Sequence, residues 1–398
     1  MRNIERTSRT HQSLFLVVVT YLAFISLGLP DGLIGIAWPF MSSRSNVSID
    51  SLGVLLMSFT GGYLSTSSTS AKILHHMSLG MLLSVSCLVT AASLLTYSFT
   101  GGWYFMIIAS FFLGSGGGAI DSSINTFAAS AFSASTVNWL HAFYGVGATT
   151  GPLLVTLMLS VSLQWYHAYL IVAVIQILLA ILFITTHKRW RLTSNQDDRR
   201  EGTPYRETIK LPIVWLYGLI FFLYTGLEQG FGQWLFTVLT KSRSIHNEQA
   251  GLWTSLYWGS LTVGRILFGI VLTRIQVNVV LIGAIAGIAM GVFLFVADIN
   301  PTITLLGIII MGTSNAPVFP SLISVTPVRI GERHTAAAIG IQVSMAMIGG
   351  ALVPGIAGFL SDSFGLEIIP RVFFAAAIIL VASYFVATRF GRSQAHEI

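Results

Sequence analysis

"GLPDGLIGIAWP" (residues 28–39) is echoed by "GLEQGFGQW" (residues 226–234), with GLPDG lying over GLEQG at an offset of 198 residues. The same offset sets Asp50 and Gly53 over Glu248 and Gly251, and Gly61 over Gly259. It also sets GSGGGAIDSS (114–123) over GTSNAPVFPS (312–321). One offset holding across three separate segments marks a duplicated unit. Both copies put a carboxylate, Asp31 or Glu228, inside an otherwise apolar run.

Of the 398 residues, 54% are hydrophobic and only 9% are charged. A soluble chain of this length could not cover its surface with so few charges. Runs long enough to cross a hydrocarbon layer about 30 Å thick recur along the chain. Twelve spans are predicted, at 13–40, 50–71, 77–99, 103–132, 138–162, 166–186, 211–240, 248–273, 277–297, 301–326, 334–361 and 367–389. Most links are very short, so neighbouring helices must run antiparallel. The exception is "HKRWRLTSNQDDRREGTPYRETIK" (187–210), which divides a six-helix bundle at 1–186 from another at 211–398. The expected fold is therefore an all-α polytopic membrane protein with two pseudo-symmetric six-helix bundles.

The basic start "MRNIERTSRTHQ" leads straight into a full-length span without a small-residue cleavage pattern, so no removable leader is expected. The single cysteine, Cys87, lies in an apolar run and allows neither a disulfide framework nor a cysteine metal site. With the N-terminus in the cytoplasm, 17 of the 21 Lys and Arg fall on the cytoplasmic side; Arg44, Lys241, Arg243 and Arg371 do not. That asymmetry orients the chain and accounts for its basic balance without any nucleic-acid partner. A multi-pass protein of an inner (cytoplasmic) or plasma membrane is expected, with both termini cytoplasmic. It is expected to work as a monomer in the lipid bilayer on a small-molecule substrate.

Among 15 acidic residues, three lie inside spans: Asp31 in the first, Asp121 in the fourth and Glu228 in the seventh. A carboxylate at the bilayer centre costs about 2.5–3.5 kcal/mol even on the lower scales. Such a group must face a polar cavity, find a partner or be protonated. These three are the candidates for proton coupling; the bland alternative is a neutral acid hydrogen-bonded between helices. Helical spacing gives each acid a face. Gly28, Asp31, Gly35 and Trp38 share one side of the first span, and Gly114, Gly118, Asp121 and Asn125 one side of the fourth. Gln229, Gln233 and Phe236 share a stripe on the seventh, with Gly230 and Trp234 beside it. The glycines alone would serve close helix contact. Amides, carboxylates and indoles on the same faces suit a sugar-sized polar ligand.

At 1.5 Å per residue, Asp31 lies about 26 Å from the inner end of its span and Asp121 about 27 Å from the outer end of its own. That offsets the two by roughly 10 Å along the normal and suggests separate duties rather than a direct pair.

His141, at the start of the fifth span, reads either as a capping or packing residue or as a ligand or proton carrier. Asn315 and Gln342, mid-span, read either as helix–helix glue or as substrate contacts. Arg265 is expected to snorkel or to bind loop carbonyls. Asp50 and Glu248 begin helices, where an anion favours the positive dipole end. Pro30, Pro39, Pro152 and Pro354 mark kinks or helix ends. The substrate-binding candidates are thus Trp38, Asn125, His141, Gln229, Gln233, Trp234, Asn315 and Gln342.

The duplicated architecture resembles the major facilitator superfamily over essentially the whole chain. "GVGATTGPLL" (145–154) resembles part of that superfamily's fifth-helix antiporter motif, and "GRILFGIVLTR" (264–274) keeps a trace of its loop motif. A closer resemblance is to the fucose–galactose–hexose proton symporter branch. "GGGAIDSSINTF" (116–127) is similar to the branch's fourth helix, with Asp121 where Glu is usual and Asn125 four residues on. Asp31 in "LPDG" corresponds to its first-helix acid. "NWLHAF" (138–143) resembles its Asn-x-x-Gln stretch, with His141 replacing Gln. The resemblance implies Asp31 as proton site and Asp121 as the acid coupling sugar to proton.

The leading expectation is a proton-coupled sugar symporter working by alternating access, without a cofactor beyond the proton motive force and with sodium as the other possible ion. Two readings compete: a proton-driven exporter of amphipathic or drug-like compounds, and a transporter-like binding receptor or lipid-handling protein. An enzyme is not expected, because the spans hold no nucleophile–base pair and no metal constellation.

Overall fold

The computed structural model describes residues 2–190, 205–271 and 274–394. Most of the expected linker, 191–204, lies outside the described residues. The chain forms α1 (Arg2–Arg44), α2 (Leu52–Ile73), α3 (Leu79–Phe99), α4 (Trp103–Ala131), α5 (Ala134–Ser160) and α6 (Tyr166–Thr185). The four-residue α7 (Tyr205–Thr208) precedes α8 (Pro212–Thr237), α9 (Asn247–Val271) and α10 (Val277–Ala297). Then follow α11 (Pro301–Asn315), α12 (Val318–Ile330), α13 (Thr335–Phe364) and α14 (Ile368–Gln394). There is no strand among the described residues.

Among the described residues each of the twelve expected spans contains a helix, and ten are long and apolar enough to cross a membrane. The other two, α2 and α9, match in position and have 22 and 25 residues, but are more polar. In α2 the cause is the run Ser65–Ser70. Its hydroxyls bond back to the helix, as Ser65 Oγ does to Gly61 O at 2.7 Å and Thr69 Oγ1 to Ser65 O at 2.6 Å. The tenth expected span is broken at Ala316–Pro317 into α11 and α12. Pro317 and Pro320 lack the N–H that the ladder needs, and the chain tightens to an Ala316 N to Thr313 O bond at 3.3 Å. Pro152 and Pro354, by contrast, sit inside continuous helices.

The helices gather into two compact units, Met1–Ile34 with Gly61–Ser194, and Gly35–Thr60 with Asn195–Ile398. The last ten residues of α1 and the start of α2 thus pack with the C-terminal helices. In lipid, helices associate through close packing and hydrogen bonds rather than apolar burial, so small residues lie at the contacts.

In the first unit α3 packs against α4 and α6. One end of its core is closed by Trp190, 2% exposed, with ring centroids 5.2 Å from Phe127 and 5.1 Å from Phe183. In the second unit α8 packs on α13, and α11 lies against α9 and α10. The buried Arg243 binds Glu367 at 3.0 Å and Asp298 at 3.1 Å, and lies 4.3 Å over the Phe295 ring. It thereby ties together the connections that follow α8, α10 and α13.

Candidate functional site

Within the first unit, glycine contacts bring the acids of α1 and α4 to their partners. A Cβ on Gly28 would meet Ala148 N at 2.7 Å, so α1 lies directly on the α5 backbone. One turn further along α1, Asp31 Oδ2 accepts a hydrogen bond from Tyr144 Oη of α5 at 2.5 Å. A Cβ on Gly118 would likewise meet Tyr63 O at 2.5 Å, which holds α4 against α2. There Tyr63 Oη donates to Asp121 Oδ2 at 2.5 Å, and Asn125 Nδ2 donates to Asp121 Oδ1 at 3.0 Å. Asn125 reaches back because residues four apart share a helix face.

Each acid is bonded to its own tyrosine, and Asp31 also lies within the electrostatic reach of Asp121. Tyr63 lies within the electrostatic reach of Asp31 and Tyr144 as well as Asp121, and His141 within that of Asp121. The exposed His141 also meets the edge of Phe24, with ring centroids 5.8 Å apart. Asp31, Tyr63, Asp121, Asn125 and Tyr144 are all half-buried. Electrostatic reach thus joins the two acid–tyrosine pairs into one polar cluster whose members all keep some exposed surface.

The third acid has a different setting, in the second unit. Glu228, 4% exposed, is bonded by Tyr224 Oη one helical turn earlier and ion-paired to Arg265 Nη2 of α9 at 3.4 Å. Its backbone carbonyl accepts from Tyr257 Oη at 2.7 Å. The expectation that Arg265 snorkels or binds loop carbonyls is corrected: the guanidinium reaches inward across α8 to the buried carboxylate. Asn315, the last residue of α11 before the break, joins the same network. Its Nδ2 donates to Met311 O at 2.9 Å and to Tyr257 Oη at 3.4 Å, and its backbone O accepts from Tyr224 Oη at 3.3 Å.

The other candidates are scattered through the second unit. Trp38 is fully buried, its Nε1 donating to Ile49 O at 2.7 Å, so the indole pins the turn between α1 and α2. Trp234 is fully buried too and donates Nε1 to Pro354 O at 2.9 Å. Gln229 lies beside Gly350 of α13, 3.5 Å from the place of its absent Cβ, and the Gln233 backbone abuts Gly35. Gln342 Oε1 accepts from Thr326 Oγ1 at 3.1 Å. Gln342 Nε2 and Asn315 Oδ1 are buried without a hydrogen-bond partner among the described residues. The candidates thus divide by unit: Asp31, Asp121, Asn125 and His141 lie in the first, and Trp38, Glu228, Gln229, Gln233, Trp234, Asn315 and Gln342 in the second.

Four tyrosines and one arginine complete these clusters; sequence reasoning missed the tyrosines and gave Arg265 a different role. Tyr224 stands four residues before Glu228 and Tyr144 three after His141, spacings that share a helix face. Among the described residues no group of three or more His, Cys, Asp or Glu side chains could hold a metal ion. The first cluster brings together two carboxyls, two phenols and an amide.

A profile of the Major Facilitator Superfamily matches residues 20–354 and 238–397. The chain is 23% identical over 372 residues to a glucose/mannose transporter of Bacillus subtilis (strain 168), covering 91% of this chain and 92% of that protein. It is 24% identical over 388 residues to sodium-dependent glucose transporter 1A of Mus musculus, covering 86% and 89%. Among solved structures, a variant of the nucleoside transporter NupG superposes with a TM-score of 0.80 at 15% identity, over 94% of this chain and 99% of that one. The E. coli fucose:proton symporter superposes with a TM-score of 0.61 at 16% identity, over 93% and 98%. At these identities the structural likenesses show the fold alone.

Proposed function

The chain belongs to the Major Facilitator Superfamily, and from that premise we propose that it carries a small polyhydroxylated solute, a sugar, across the membrane together with a proton. The observation that carries this reading is the half-buried cluster Asp31–Tyr144 and Tyr63–Asp121–Asn125. Two carboxyls, two phenols and an amide give a sugar alternating donors and acceptors, and the acids supply sites for the coupling proton. The glucose/mannose and glucose transporters among its relatives support the solute class.

In this mechanism proton and sugar enter an open cavity. Neutralised carboxyls make closing that cavity less costly than charged ones, and the loaded protein changes the side from which the site is reached. Asp31 and Asp121 act as the proton-coupling acids, with Asn125 and His141 beside the solute. Glu228 is ion-paired to Arg265 in the second unit, and in this mechanism it has no part in coupling. The protein works as a monomer in an inner or plasma membrane, with both termini in the cytoplasm. It needs no cofactor besides the ion gradient.

The sodium dependence named for the mouse relative favours a second reading, in which sodium replaces the proton. Counterflow tests both, using purified protein in liposomes preloaded with unlabelled glucose, mannose, galactose, a nucleoside or an amphipathic cation. Uptake of labelled hexose with hexose inside and no sodium present supports the proposal. Counterflow only with the cation or the nucleoside would refute the sugar assignment, and a strict sodium requirement would refute the proton.

A further inference from the structure

Each acid of the first cluster is bonded to a tyrosine from a helix other than its own: Asp31 of α1 to Tyr144 of α5, and Asp121 of α4 to Tyr63 of α2, both at 2.5 Å. A phenol has one proton and two lone pairs, whereas an ionised carboxylate only accepts. While the carboxylate is charged, the tyrosine's single proton is directed into that bond. The oxygen then faces its surroundings only as an acceptor. Once the carboxyl takes up a proton it can donate to the same oxygen, and the phenol is free to turn its own proton elsewhere. Protonation of the acid thus reverses the hydrogen-bonding sense of a hydroxyl lying beside it.

We propose that Tyr144 and Tyr63 are positioning residues that convert protonation of Asp31 and Asp121 into a change of donor and acceptor pattern at the solute site. The sugar and the proton then favour each other's binding through these hydroxyls and not only through relief of charge. The ligand's identity rests on the transport reading above. Other groups bear on the same acids. Asp31 feels Asp121 of α4 and Tyr63 of α2, and Asp121 is also faced by Asn125 on its own helix and His141 of α5.

Replacing tyrosine by phenylalanine removes the hydroxyl and keeps the ring. In purified wild-type protein, glucose affinity is expected to differ by about tenfold between mildly acid and mildly alkaline buffer, the usual size of a coupling between two sites. Tyr144→Phe and Tyr63→Phe are expected to bind glucose with that ratio reduced to about threefold or less. A variant that keeps the wild-type ratio would overturn the proposal.

A second measurement needs no sugar. In infrared difference spectra between acid and alkaline buffer, the carboxyl band lost in Asp31→Asn is expected to shift in Tyr144→Phe, and the band lost in Asp121→Asn to shift in Tyr63→Phe. Bands that stay in place would show that the phenols do not govern the acids, and would overturn the proposal whatever the substrate. Shifted bands in the variants, with a wild type that binds no hexose, would instead refute the sugar reading and uphold the phenol–carboxyl link.

Discussion

Removing either partner of the Glu228–Arg265 pair should be far more damaging than removing both. Glu228 is 6% and Arg265 18% exposed at the side chain, so neither charge can turn to water for compensation. Breaking a buried ion pair from one side costs about 3–5 kcal/mol, because the remaining charge is left without its counterpart. Removing both partners leaves no uncompensated charge, which is the source of the cost of a single removal. In Glu228→Gln the lone guanidinium is forced to stay charged, and the full cost of about 3–5 kcal/mol applies. In Arg265→Gln the carboxylate loses its counter-charge in the same way. The double variant E228Q/R265Q should lie above both. It keeps the Tyr257 bond to the Glu228 backbone carbonyl, which depends on neither side chain. The assay is thermal unfolding of the four proteins in one detergent, followed by tryptophan fluorescence. The expected order of melting temperatures is wild type, then the double variant, then the two single variants. Additive losses, with the double variant the least stable, would refute the claim that the two charges balance each other.

Three further outcomes follow from single contacts. Trp38→Phe removes the donor to Ile49 O and should lower stability by about 1 kcal/mol, with the KM for solute unchanged; a raised KM would place the indole at the solute instead. Gly28→Val puts a branched side chain where a Cβ already meets Ala148 N at 2.7 Å. It should separate α1 from α5, detach Asp31 from Tyr144 and abolish transport, whereas wild-type uptake by a folded variant would contradict the close packing. At Glu367 burial pushes the carboxyl up, but hydrogen bonds from Arg243 and Ser242 and the charges of Arg243 and Arg371 outweigh it, leaving the group below the usual glutamate range. Its contribution is therefore present above the unfolded value of about 4.3 and is lost as pH falls below it. Because the side chain is 39% exposed, the effect should stay under about 1 kcal/mol, read as a shallower acid fall of melting temperature in Glu367→Gln than in wild type.

The helical, duplicated architecture was legible because it is written in local runs and in one offset between GLPDG and GLEQG. Asp121 with Asn125 was legible for the same reason, since four residues along a helix fix their neighbourhood. The partners of the acids were not. Tyr63 and Tyr144 come from other helices, and a tyrosine within a span fits apolar packing as well as a polar contact. Arg265 was misjudged because its depth was counted along its own helix, while a long side chain meets its partner across to the next one. The break after Asn315 had a visible cause in "NAPVFP" (315–320), where two prolines three residues apart remove two ladder donors. Trp38 and Trp234 show the converse: indoles at suitable spacing for a solute, but each bonded to a backbone carbonyl.

Sugar-driven proton movement across liposomes holding the purified protein, in sodium-free buffer with a pH-sensitive dye inside or outside, bears most directly on the central claim. Adding hexose to the outside of wild-type liposomes should alkalinise the external medium as proton and sugar enter together, and Asp31→Asn and Asp121→Asn should each abolish the signal. Hexose uptake at wild-type rate with no proton movement, or undiminished coupled movement in both variants, would contradict the account.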